Sequence, residues 1–83
     1  MANFDEVRTV LGNSLQLGNR IQVMTPETHL LGSLPELDSM AVVNLIAALE
    51  DHFGFIVDDD EISAEVFATL GSLSDFVTKK LAS

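Results

Sequence analysis

Apolar residues recur along this 83-residue chain at helical intervals, interrupted by one long stretch without a period. Phe4, Val7, Leu11 and Leu15 follow at spacings of three, four and four, which places them on one face of a helix. Asn3 can cap that helix, and Asp5 and Glu6 suit its first turn, where the dipole favours anions. Gly18-Asn19 is the expected stop, with Gly12 as an earlier point of fraying. Residues 19–37 read as a long loop punctuated by Pro26, Gly32 and Pro35. Its apolar members, Ile21, Val23, Leu30, Leu31, Leu34 and Leu37, predict that it packs over the core. Ordered loops of this length in small domains are often functional.

The strongest helix is predicted over 39–53, with Asp38 at the cap and Gly54 as the C-terminal stop. Met40 to Leu49 is almost wholly apolar, so a buried strand is an alternative; length, alanine content and cap signals favour the helix. At about 100° per residue, Val42, Leu45, Ile46, Leu49 and Phe53 share the core side. Met40, Asn44, Ala47 and Asp51 gather opposite, flanked by Val43 and Glu50. Two arrangements account for apolar residues on that outer side: a strip that binds a partner, or cover by the long loop.

Asp58 to Val66 predicts a short third helix capped by Asp58 or Asp59. The last helix is expected to start at Ser72, with Asp75 completing a capping pair and Leu73, Phe76, Val77 and Leu81 facing the core. Lys79 and Lys80 suit its last turn. No run alternates convincingly. The predicted fold is therefore all-α: one domain over 1–83, a small antiparallel four-helix bundle of three main helices and one short one, with a long loop between the first and second.

Charge narrows the functions. Thirteen acids against four Lys and Arg give a net charge of −9, and no cation stands between positions 21 and 78. Such a chain does not suit nucleic acid or an anionic membrane surface. It suits partners with basic docking patches. No apolar stretch approaches the roughly 20 residues of a membrane span, and the N-terminus has neither basic nor apolar signal character, so a cytoplasmic monomer is expected. The absence of cysteine excludes disulfides, thiolate metal sites and a cysteine nucleophile. His29 and His52 are too few for a His-rich metal site, and His52 suits a dipole contact at a helix end. The run Asp58-Asp59-Asp60-Glu61 lacks the glycine and terminal glutamate of a calcium loop, so no dedicated metal site is expected. Ser39 has no activating base nearby in sequence, and no catalytic residues are assigned.

Ser39 nevertheless has a distinctive setting, after a capping Asp at the start of the best helix. Leu37-Asp38-Ser39-Met40, followed by Ala48-Leu49-Glu50-Asp51-His52-Phe53-Gly54, resembles the acyl carrier proteins, whose motif is Asp-Ser-Leu at the start of the second helix. The likeness spans nearly the whole chain, most clearly residues 30–81. It implies a 4′-phosphopantetheine arm on Ser39, installed from coenzyme A by a phosphopantetheinyl transferase that supplies its own base and magnesium. The thiol at the end of the arm would hold acyl groups as thioesters, and the protein would be a carrier rather than an enzyme. The resemblance also implies docking of acyl-loading and acyl-transferring enzymes through Asp38, Met40, Val43, Asn44, Ala47, Glu50 and Asp51. The lining expected for a sequestered acyl chain is Val42, Ile46, Leu49, Ile62, Phe67, Leu73, Phe76 and Val77; in the unmodified protein the same residues are expected to form a closed core.

Three positions depart from the family pattern. Met40 replaces the usual Leu, and Ala41 and Asn44 stand where carriers of fatty-acid synthesis generally have acids. Leu37 to Leu49, with Phe67-Ala68-Thr69-Leu70-Gly71-Ser72-Leu73, looks most like stand-alone carriers that accompany exosortase and exopolysaccharide systems. A peptidyl or aminoacyl carrier of a nonribosomal system is the alternative within carriers; loading by amino-acid adenylating enzymes would separate the two. A helical interaction module without a prosthetic group is the alternative outside them, and it requires the native protein to be always unmodified.

Overall fold

The computed structural model describes residues 2–35 and 37–82, so Glu36, one of the acids of the cation-free stretch, lies outside the described residues. Three helices carry the fold: α1 (Ala2–Leu15), α2 (Ser39–Phe53) and α3 (Leu70–Ala82). A 3₁₀ helix over Gly18–Val23 and a single 3₁₀ turn over Asp59–Glu61 lie between them. Helix α1 packs on both others, and among the described residues no comparable contact joins α2 to α3. Connecting chain fills the space between those two. No helix of the described residues is long and apolar enough to cross a membrane.

The core follows the apolar spacing. Val7, Leu11 and Leu15 of α1 meet Leu45, Ile46 and Leu49 of α2 and Leu73 and Val77 of α3 in one buried cluster. Val10 and Leu70 join it, and Phe4, Val42 and Phe53 pack against its edge. The long loop contributes Leu30 and Leu37, with Ile21 and Leu34 partly buried. Two of its expected core members do not take part: Val23 and Leu31 are 82% and 43% exposed. Leu17 and Met24 are buried instead. The 3₁₀ helix between them sets the register, which turns Val23 outward.

Element ends differ from the sequence expectation where the caps differ. Helix α1 stops before Gly18, because Gln16 adopts a left-handed φ of 56° and Leu17 N–H reaches back to the Gly12 carbonyl at 2.9 Å. Gly12 does not fray the helix. It lies inside it, where a Cβ would come within 2.6 Å of the Ile21 side chain. Asn3 is not a cap; it is within α1, and its Nδ2 donates to Thr78 Oγ1 at 3.3 Å. The expected short helix over 58–66 shrinks to the 3₁₀ turn Asp59–Glu61 followed by turns. Helix α3 starts at Leu70 rather than Ser72: Thr69 N–H donates to Ser72 Oγ and Ser72 N–H donates to Thr69 Oγ1, each at 3.0 Å. This reciprocal cap displaces the expected Ser72–Asp75 pair by one turn, buries Leu70 and leaves Leu81 42% exposed.

The long loop is fastened to the start of α3 by backbone. Leu30 and Leu31 N–H donate to the Ala68 and Phe67 carbonyls, and Leu70 and Gly71 N–H donate to those of Thr28 and Pro26. The latter two donors belong to the first turn of α3, where a helix offers no partners of its own. A Cβ at Gly71 would lie 2.8 Å from the Pro26 carbonyl oxygen. At the other end of the connecting chain, Lys80 Nζ reaches Glu61 Oε1 at 2.9 Å, and Asp58 N–H donates to the same oxygen at 3.0 Å.

Two outcomes follow from these contacts. Gly71→Ala should cost about 1–3 kcal/mol in urea unfolding, because the obstructing atom is backbone that is itself hydrogen-bonded. Gly12→Ala should stay within about 1 kcal/mol of wild type, since better helix propensity offsets a contact with a half-buried side chain that can shift. Equal losses at both positions would contradict this account. Separately, the donated Asp58 N–H, and then Lys80, hold the Glu61 carboxyl below its ordinary value of 4.5. A lowered folded value means that this contribution to stability is present at neutral pH and is lost as pH falls through it. In Lys80→Met the NMR-observed midpoint of Glu61 should rise toward 4.5 without reaching it, and the acid limb of thermal stability should move to higher pH.

Candidate functional site

The start of α2 is built by Asp38. Its backbone is extended, with φ −100°, and its carboxylate accepts Ala41 N–H at 2.8 Å. Its carbonyl accepts Val42 N–H at 2.9 Å, the first bond of the helix. Ser39 is therefore the first residue of α2, and it is exposed. Its direction is set by the helix, while its hydroxyl faces solvent where a second protein can reach it. Helix N-termini offer unpaired N–H groups and a positive dipole end, which favour a phosphate. The Asp38 carboxylate is already engaged with Ala41, so its charge is partly offset at this point. A phosphate ester at Ser39 thus fits the residues present.

The faces of α2 divide around Ser39. Met40 and Val43 are 68% and 59% exposed, and Asn44, Ala47 and Asp51 are exposed beside them. The long loop does not cover this strip, which decides between the two arrangements left open by the periodicity. Asp38 is exposed at its upper end. Glu50 differs from the others: it is half-buried, and its Oε2 accepts Val57 N–H at 2.7 Å. On the adjoining side, Ser39, Val43, Ile46 and Glu50 follow at spacings of four, three and four. Below Ser39 this line borders a groove of about 230 Å³, lined by Val43, Ile46, Ala47 and Glu50 of α2 and by Val57, Asp59 and Ile62 opposite.

The eight expected lining residues take several positions. Ile46 and Ile62 share this groove. Phe76 lines another, of about 260 Å³, with Val66, Ser72 and Lys79. Leu49, Phe67, Leu73 and Val77 are buried in the core, and Val42 packs against it. Val57 and Asp59 were not anticipated as groove residues. No helical period links them to α2; the only sequence signal was the Gly54 stop, which turns the chain back along the helix with φ 78°.

The remaining groups offer little chemistry. His52, expected as a dipole contact at the end of α2, lies 3.5 Å from Glu6 Oε2 of α1. His29 is exposed in an isolated bridge to Thr69. Among the described residues, no three His, Cys, Asp or Glu side chains gather to hold a metal ion.

Comparison with known proteins agrees with this geometry. The family described as "Phosphopantetheine attachment site" matches residues 5–77. An acyl carrier protein of Desulforapulum autotrophicum is 33% identical over 75 residues, which cover 90% of this chain and 92% of that protein. A holo acyl carrier protein of Nitrosomonas europaea, solved by solution NMR, superposes with a TM-score of 0.92 at 57% identity, over the full length of both chains. The bundle with its long first connection is thus that of a known carrier, and the prosthetic group sets the chain apart from an interaction module that lacks one. The chain belongs to the acyl carrier proteins: it is a phosphopantetheine-bearing carrier, not an enzyme.

Proposed function

We propose that Ser39 bears the arm and that acyl cargo is presented from it to enzymes docking on the outer strip of α2. The observation that carries this is the exposed Ser39 hydroxyl at the first position of a capped helix, with an uncovered strip on one flank and a groove on the other. In the attachment step the Ser39 oxygen forms a bond to the phosphorus of the pantetheine phosphate of coenzyme A. The pyrophosphate bond breaks, adenosine 3′,5′-bisphosphate leaves, and the hydroxyl proton passes to a base of the transferase. When bound, the group supplies the thiol that this cysteine-free chain lacks. Asp38, Met40, Val43, Asn44, Ala47 and Asp51 form the docking strip, with Glu50 at its edge. The groove beside Val43, Ile46 and Ile62 is the nearest shelter for a short acyl chain returning from Ser39.

The cation-free stretch around the strip supports clients with basic patches, since opposite potentials steer encounter. Ala41 and Asn44 leave the first half of α2 less acidic than its end, which supports a client whose contact near the serine is apolar rather than strongly basic. A dedicated loading enzyme in a specialised acyl-transfer system fits that pattern.

Incubation with coenzyme A and a broad-specificity transferase should add the mass of one phosphopantetheine, and Ser39→Ala should abolish the gain. A gain that persists in Ser39→Ala moves the attachment elsewhere. For docking, Val43→Asp should weaken binding to the transferase about tenfold, close to 1.4 kcal/mol, with no change in Tm. Asp51→Lys should reduce the salt dependence of the same binding. Unchanged affinity and salt dependence in these two variants would remove the strip from the interface.

A further inference from the structure

Glu50 and Glu61 fasten the two ends of one wall of the groove. Residues 57–61 run opposite α2, and Val57 and Asp59 face Val43, Ile46 and Ala47 across the space. At one end Val57 N–H donates to Glu50 Oε2 at 2.7 Å. At the other, Glu61 accepts Asp58 N–H at 3.0 Å and Lys80 Nζ at 2.9 and 3.1 Å, which ties the segment to α3. Val57 packs against the core, but between it and Glu61 burial adds little, because Asp58, Asp59 and Asp60 are exposed. Beyond the packing of Val57, the wall therefore depends on two charge-assisted hydrogen-bonding carboxylates, which are stronger than neutral acceptors.

We infer that Glu50 is a positioning residue of the groove: it holds residues 57–61 to α2 while the Glu61–Lys80 pair holds them to α3, and together these contacts set how long an acyl chain the groove admits. This rests on the reading that cargo from Ser39 enters the groove. It also separates Glu50 from the acids of the docking strip. Docking uses net charge, whereas the strap uses one acceptor oxygen aimed at Val57 N–H. A glutamine keeps such an oxygen and loses the charge, so the two roles respond differently to the same substitution.

The test compares wild type, Glu50→Gln, Glu50→Ala and Lys80→Gln. In the unloaded proteins, hydrogen exchange at Val57 N–H should rise about tenfold in Glu50→Ala and stay within about twofold of wild type in Glu50→Gln. The proteins are then loaded by the transferase from butyryl-, octanoyl- and dodecanoyl-coenzyme A, with intact mass as the check. Amide shifts at Val43, Ile46 and Val57, and protection of the thioester from hydroxylamine, report entry of the chain. Glu50→Ala and Lys80→Gln should move the best-protected chain to a longer length, and Glu50→Gln should not. Wild-type exchange and an unchanged length profile in Glu50→Ala would overturn the strap. So would equal damage from Gln and Ala. Should Glu50→Ala fail to fold, an unchanged profile in Lys80→Gln overturns it alone. Failure of loading, or loading without shifts at the groove residues, instead refutes the attachment or cargo reading, and the exchange data still judge the strap.

Discussion

The backbone ladder between residues 26–31 and 67–71 is the contact on which the rest of this molecule depends. Helices α2 and α3 do not pack closely on each other, so α1 alone would leave their relative position loosely defined. The ladder closes that gap. Thr28 and Pro26 carbonyls satisfy first-turn donors of α3, while Ala68 and Phe67 carbonyls hold Leu30 and Leu31. The same chain then buries Leu37 one residue before the Asp38 cap. The loop therefore caps one helix and delivers the next. At Gly71 the Pro26 carbonyl oxygen would stand 2.8 Å from a Cβ, so the absence of a side chain there is a condition of the ladder.

Much of this was legible in the sequence because local chemistry decided it. Asp38 and Gly54 bound α2 as their types predict, and the period of Val42, Leu45, Ile46, Leu49 and Phe53 picked its inner face. The misplacements occur where a competing partner lay near by. Gln16 takes a left-handed turn that sequence rules assign to glycine, because Leu17 gains burial and a bond to Gly12 by it. Thr69 and Ser72 cap each other, although Ser72 and Asp75 matched a standard pattern equally well. The acidic run 58–61 looked like the opening of a helix, yet it forms one turn. Glu61 is drawn to Lys80, 19 residues on, and no local rule contains that contact.

The site was legible in part for the same reason. Ser39 follows from a cap and a helix, both local. The uncovered state of Met40 and Val43 does not, since periodicity shows only which side is outside the core and not whether a loop returns over it. Here the loop is committed elsewhere by its ladder, and the strip remains open. The groove was the least visible feature. Its far wall comes from chain beyond Gly54 that has no period, and it is placed by a carboxylate that sequence grouped with the docking acids.

Position on α2 thus assigns different work to residues of similar type. Asp51 projects on the exposed side, where its charge reaches solvent. Glu50, one residue earlier and about 100° around the helix, meets Val57 N–H instead. Ser39 stands in line with Glu50 and Ile46, next to the strip that begins at Met40. A group held there can turn outward to a docked enzyme or inward along the groove by rotating about a single attachment point. Carrying requires both directions, because a thioester must be withheld from water between enzymes and yielded to them on contact. On the proposed reading, the −9 charge would serve the outward direction by attracting partners, and the strap by Glu50 and Glu61 the inward one by holding a wall. On α2 itself, Asp51 and Glu50 divide these two tasks by the side from which each side chain leaves the helix.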